Sequence, residues 1–176
     1  MWAKPNTNTG FLLSTRSGST AQGYELISRA TDGFPGAGPR IGTSATSFAS
    51  STVTDAMIGW LGKWTYVTAT VDVVALLLKF YVNGVLLDTI AFTGTITNTQ
   101  TLRFGQRATT FYTGSLNDCR IYNRALSDGE VLQLYRASCT GYQRELNWIE
   151  NNPWSLYTAG GAAPATQNNL MLLGVS

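Results

Sequence analysis

The sequence predicts an all-β chain: an antiparallel sandwich of two sheets, with one short C-terminal helix and an extended tail. Three observations carry this prediction. Only 12% of the residues are charged, about half the usual globular share, while 11% are aromatic. Short apolar or β-branched runs recur over residues 1–137, divided by Gly, Pro and Asn turn chemistry. Two of these runs flank Asn83-Gly84, a dipeptide suited to a type I′ hairpin turn because both central residues take positive φ. At 176 residues the chain is long enough for one domain with a real core.

The elements follow in order. Residues 11–14 (FLLS) form a short apolar run. Residues 24–29 alternate, with Tyr24, Leu26 and Ser28 on one face and Glu25, Ile27 and Arg29 on the other. Residues 32–39 (DGFPGAGP) are a loop, since Gly and Pro break any ladder there. Residues 43–54, rich in Ser and Thr, hold an edge strand or a loop. Residues 64–71 (WTYVTATV) are dense in β-branched and aromatic side chains. Residues 76–82 place Leu76, Leu78, Phe80 and Val82 on one face, and residues 85–91 return after the Asn-Gly turn. Residues 101–105 and 113–122 complete the strands.

The helix is expected over residues 128–136. Ser127 is its N-cap and Glu130 the third helical residue, a capping box, with Leu126 and Val131 as the hydrophobic staple. Val131, Leu134 and Tyr135 make its apolar face. A change of character then divides the chain into a domain over 1–137 and an extension over 138–176. The extension carries Trp148, Trp154, Leu156 and Tyr157 around an Asn-Asn-Pro break, then a small, polar linker over 158–169. It ends in the apolar run 170–175 (LMLLGV), which includes Leu170 and Leu172. Such an end should dock on its own domain, a neighbouring subunit or a larger assembly.

Composition removes several functions. There is no histidine, hence no Ser-His-Asp or Cys-His nucleophile and no His-ligated zinc. The net charge is +2 and the twelve basic residues are scattered, which argues against nucleic acid as a partner. The two cysteines, Cys119 and Cys139, do not form a CxxC; they are either one disulfide or two buried or partly buried thiols. The first ten residues lack the apolar core of a signal peptide, and the longest apolar run, 73–78, is too short for a bilayer. The expectation is a soluble chain without membrane insertion, exported by another route or released inside a virus particle.

Several stretches together resemble the LamG-like jelly-roll of the concanavalin A-like lectin/glucanase superfamily. They are GKWTYVTATVD, LKFYVNGVLLDT, LRFG and, most specifically, YTGSLNDCRIYNRALSDGEVLQLY. MWAKPNTNTGFLLSTRS is similar to the family's early strand pair, so the likeness covers residues 1–137. The resemblance implies a jelly-roll fold. The family normally has a strand earlier than Trp2; either that strand is missing from this product or another segment supplies it, and residues 170–175 could do so by strand addition, in cis or between chains. The family often pairs acids in the last strand; here the pair reads Asn117-Asp118, which weakens a calcium site there. Asp118 either helps hold calcium, or pairs with Arg120 or Arg124, or caps backbone groups.

The glycan-binding candidates are Tyr24, Trp60, Phe111 and Tyr112, each with packing as its alternative. The superfamily's E-x-D-x-x-E-type glucanase cluster is missing; Glu25, Glu130, Glu145 and Glu150 are the only glutamates, so no enzyme activity is expected. NPWSLY resembles the ends of some phage-encoded proteins of this class. Trp148, Trp154, Leu156, Tyr157, Leu170 and Leu172 are therefore candidate assembly anchors, or they pack back on the domain. The expected function is a non-catalytic structural or adhesive protein on a phage particle: a capsid decoration, fibre or tail component. It would form a homo-oligomer or join other virion proteins through its tail. The alternative is an extracellular carbohydrate-binding module of a secreted bacterial protein. No cofactor is expected beyond the weak calcium candidate.

Overall fold

The computed structural model describes residues 1–151 apart from 8, 18–21, 29–36, 44–47 and 98–99. Five strands come first: β1 (Trp2–Pro5), β2 (Phe11–Ser14), β3 (Gly23–Ile27), β4 (Gly38–Gly42) and β5 (Phe48–Ser50). A four-residue helix, α1 (Asp55–Ile58), was not foreshadowed by the sequence pattern. Then come β6 (Thr65–Asp72), β7 (Leu77–Val82), β8 (Val85–Ala91), β9 (Arg103–Phe104), β10 (Gln106–Arg107), β11 (Thr110–Phe111) and β12 (Gly114–Asn117), before α2 (Asp128–Asn151). The chain divides into two compact units, Met1–Gln133 and Leu134–Ser176.

The first unit is a sandwich of two antiparallel sheets. One has the order β12-β1-β6-β7-β8 and the other β5-β4-β3-β2-β9, while β10 and β11 form a separate small hairpin. β1 is paired on both sides, by β12 and β6. The segment 170–175, expected to supply a strand, lies outside the described residues.

Alternation places the core between the sheets. Ala3, Val67, Phe80 and Val82 of one sheet meet Leu12, Leu13 and Leu26 of the other, with Val53 and Trp60 closing the cluster. Ile41, Leu78 and Phe92 form a second cluster. Each fully buried large apolar side chain contributes about 1.5–3 kcal/mol. At Gly38 in β4 a Cβ would stand 2.8 Å from the Phe80 ring, so glycine lets that strand close on the core.

Asn83 and Gly84 turn β7 into β8 with φ of 51° and 78°, as the type I′ turn requires. The Asn83 side chain also accepts a hydrogen bond from the Tyr66 N–H at 3.0 Å, tying the turn to β6. The strand expected over 113–122 is shorter, ending at Asn117. Asp118 adopts a left-handed φ of 49°, and its N–H donates to Asn117 Oδ1 at 2.8 Å. That local turn takes the chain out of the ladder.

The helix begins where the capping box puts it. The Glu130 N–H donates to Ser127 Oγ at 3.3 Å, and the Ser127 N–H donates to the Glu130 carboxylate at 2.8 Å. Val131 is fully buried and Leu126 nearly so, the two ends of the staple. Asp128 accepts from Tyr81 Oη at 2.7 Å and from Lys79 Nζ at 2.8 Å, pinning the first turn to β7. The helix runs on past Arg136 to Asn151.

Candidate functional site

The outer face of the second sheet carries its charged groups in one cross-strand row. Arg103 pairs with Ser14, Ser14 with Glu25, Glu25 with Arg40, and Arg40 with Ser50. Partners directly opposite each other share a face. Tyr24 and Ile41, one residue along, point to the other face and join the core. The alternation that turns Tyr24 and Leu26 towards the core therefore sends Glu25 outward.

Glu25 nevertheless lies wholly out of solvent. Its carboxylate accepts from Arg16 Nη1 at 2.9 Å, Arg40 Nε at 2.7 Å, Arg107 Nη1 at 3.3 Å and Ser14 Oγ at 3.3 Å. Arg40 Nη2 also contacts it closely. Burial pulls the Arg16 guanidinium below its usual range, and Glu25 opposes that shift. Charges this deep persist only when paired and hydrogen-bonded.

Arg107 arrives from the β10–β11 hairpin, which lies against β2. Its guanidinium sits 4.1 Å over the centre of the Phe11 ring. The hairpin approaches so closely that a Cβ at Gly10 would stand 2.5 Å from Tyr112 Cα. Backbone bonds continue the seam: the Gly105 N–H donates to the Leu12 carbonyl at 3.0 Å, and the Tyr112 N–H to the Gly105 carbonyl at 2.8 Å.

Within the hairpin Gln106 stands opposite Phe111 and Arg107 opposite Thr110. Arg107 points inward, while the Phe111 side is 63% exposed. Phe104, two residues before Gln106, is also exposed, as is Arg103 at the end of the charged row. Phe104 stands opposite Leu13 and Arg103 opposite Ser14, so the two lie on opposite faces of β9. The hairpin itself offers the Phe111 ring and, beside it, the Gln106 amide, whose Nε2 donates to the Ala108 carbonyl at 2.7 Å. The carboxylate of this face, Glu25, is engaged by three arginines and placed as a brace.

The four aromatic candidates do not form one site. Phe111 is exposed on the hairpin. Trp60 is fully buried in the core, which corrects its candidacy: its ring has no face to offer a ligand. Tyr24 and Tyr112 are half-buried and pack against the core, and burial pushes the Tyr112 phenol up.

Asn117 and Asp118 are adjacent, but the Asp118 carboxylate accepts from Arg120 Nε at 2.6 Å and Asn117 Oδ1 is used within the turn. Among the described residues no group of three or more His, Cys, Asp or Glu could hold a metal ion. Cys119, which is exposed, and Cys139, half-buried, are thiols. Trp148 falls in α2, where its side chain is outside the described residues, as are Trp154, Leu156, Tyr157, Leu170 and Leu172. No helix among the described residues is long and apolar enough to cross a membrane.

The sequence reading missed Arg16, Arg40 and Arg107 around Glu25, and Gln106 beside Phe111. The faint available signal was a glutamate in an otherwise apolar alternating run, the only acid before Asp32.

Comparisons place this geometry among known proteins. Residues 1–132 match the family model described as the concanavalin A-like lectin/glucanases superfamily. No curated protein sequence matches the chain. Among solved structures it is similar to the Ruminococcus gnavus IT-sialidase CBM40 bound to alpha2,3 sialyllactose, with a TM-score of 0.52 and 18% identity. That match covers 76% of this chain and 79% of the other. At that identity the likeness is one of fold.

Proposed function

We propose that this chain, which belongs to the concanavalin A-like lectin/glucanase superfamily, is a non-catalytic glycan-binding module whose ligand rests on the β9–β11 region. The observation that carries the proposal is Phe111, 63% exposed on a hairpin whose inward side is clasped by buried Glu25. An exposed ring is useful for recognition only where its support is rigid. Gln106 opposite it donates from Nε2 to the Ala108 carbonyl at 2.7 Å, which fixes the amide with its Oε1 able to accept from a sugar hydroxyl; the exposed Arg103 of β9 would supply donors to a hydroxyl or carboxylate. The similar Ruminococcus gnavus structure holds a sugar with a carboxylate, which supports choosing an acidic oligosaccharide as the first probe. Titration calorimetry with α2,3-sialyllactose, and lactose as the neutral control, tests the proposal. Saturable binding weakened by Phe111→Ala supports it; wild-type protein that binds neither these sugars nor any member of a broad glycan array overturns it.

A second reading sets the module on the surface of a phage particle, as an adhesive or structural subunit. It rests on the 24-residue helix α2, far longer than the nine residues foreseen by the sequence pattern, and on the aromatic and apolar residues after it. Trp154, Leu156, Tyr157, Leu170 and Leu172 would then join subunits or virion proteins. Removing residues 138–176 tests this: loss of self-association with an intact sandwich supports it, and a full-length chain that is monomeric at all concentrations counts against it.

A further inference from the structure

We infer that Arg107 is a positioning residue, holding the β10–β11 hairpin so that Phe111 faces solvent in one fixed orientation; its relevance to ligand rests on the glycan-binding reading above. The hairpin ladder has two residue pairs, Gln106 with Phe111 and Arg107 with Thr110. A two-stranded hairpin of that size does not hold itself together in water. Its order must come from what it is fastened to.

Beside the Gly105–Leu12 backbone bond and the close packing at Gly10, one side chain fastens the ladder itself. The Arg107 guanidinium spans the Phe11 ring at 4.1 Å and Glu25 Oε1 at 3.3 Å. Glu25 is itself held by Arg16 and Arg40, so the anchor point is part of the sheet rather than a mobile acid. The pleat puts Arg107 and Phe111 on opposite faces of the same two-pair ladder. Turning one turns the other. A planar guanidinium serves both the ring and the carboxylate, which an ammonium cannot do equally well.

The test compares wild type, Arg107→Lys and Arg107→Met by amide hydrogen exchange without ligand and by calorimetry with α2,3-sialyllactose. In Arg107→Met the amides of residues 105–112 should exchange roughly tenfold faster, while those of β6 and β7 keep their rates. Affinity for the sugar should fall roughly tenfold, and Arg107→Lys should recover part of both effects. Hairpin amides that exchange at the wild-type rate in Arg107→Met overturn the inference. So does acceleration shared equally by β6 and β7, which would mean general destabilisation. Wild-type protein that ignores every sugar overturns the glycan-binding reading instead, and the exchange rates still decide whether Arg107 holds the hairpin.

Discussion

Arg107 and Glu25 are 82 residues apart in the chain and meet inside the fold, Nη1 to Oε1 at 3.3 Å. This contact ties the hairpin that carries Phe111 to the middle of the second sheet. It also joins Arg107 to Arg16 and Arg40, which share the same carboxylate. Removing that carboxylate would leave three buried guanidinium groups facing one another. Glu25→Ala should therefore cost about 3–5 kcal/mol, the range for breaking a buried ion pair. Urea unfolding followed by tryptophan fluorescence measures it, and a loss below about 1 kcal/mol would show that the network matters little.

The start of α2 should be sensitive to acid. Glu130 titrates at about 2, held down first by the hydrogen bond from Arg124 and then by the Ser127 N–H. Its ordinary value is 4.5, so its contribution is fully present above that pH and is lost as pH falls towards 2. Asp128 is held down too, by Lys79 first and then Tyr81. Helical ellipticity should decline through that window in wild type. Ser127→Ala should cost about 1 kcal/mol at neutral pH and shift the acid loss upward; an unchanged acid profile in that variant would speak against the capping box.

Gly10 is predicted to resist substitution. Its φ is 125°, and an added Cβ would meet backbone rather than a movable side chain, 2.5 Å from Tyr112 Cα. Gly10→Ala should lower stability by more than about 1 kcal/mol. It should also loosen residues 105–112 in hydrogen exchange. A neutral Gly10→Ala would mean that the seam between β2 and the hairpin can shift freely.

The module should be indifferent to chelators. Asp118 spends its carboxylate on Arg120, 2.6 Å away, and belongs to no group of three or more His, Cys, Asp or Glu that could hold a metal among the described residues. Excess EDTA should leave the melting temperature unchanged, and added calcium should not raise it. A calcium-dependent rise would return Asn117 and Asp118 to the metal-site hypothesis.

What could be read from the sequence was local. The β7–β8 turn was legible because Asn83-Gly84 encodes its own dihedrals, and the start of α2 because Ser127 and Glu130 satisfy each other across three residues. The end of α2 was not, since nothing sharp in the sequence stops a helix at Arg136. Nor was the fate of Trp60: an aromatic between turn residues can pack inward or face a ligand, and only the closed sandwich decides. The Glu25 cluster draws on Arg16, Arg40 and Arg107 at separations of 9, 15 and 82 residues. No periodicity links those positions; sheet register and the return of the hairpin do. Phe111 was picked out as an aromatic, but its partner Gln106 becomes visible only once β10 and β11 are paired.

The central claim, that the β9–β11 region receives a glycan, is tested most directly by calorimetry of wild type and Phe111→Ala with α2,3-sialyllactose and a glycan array. Because Phe111 is largely exposed, the variant should melt at the wild-type temperature while losing about 1–2 kcal/mol of binding, roughly five- to thirtyfold in Kd. Equal affinity in wild type and Phe111→Ala, or no binding of any glycan by the wild type, would contradict the account.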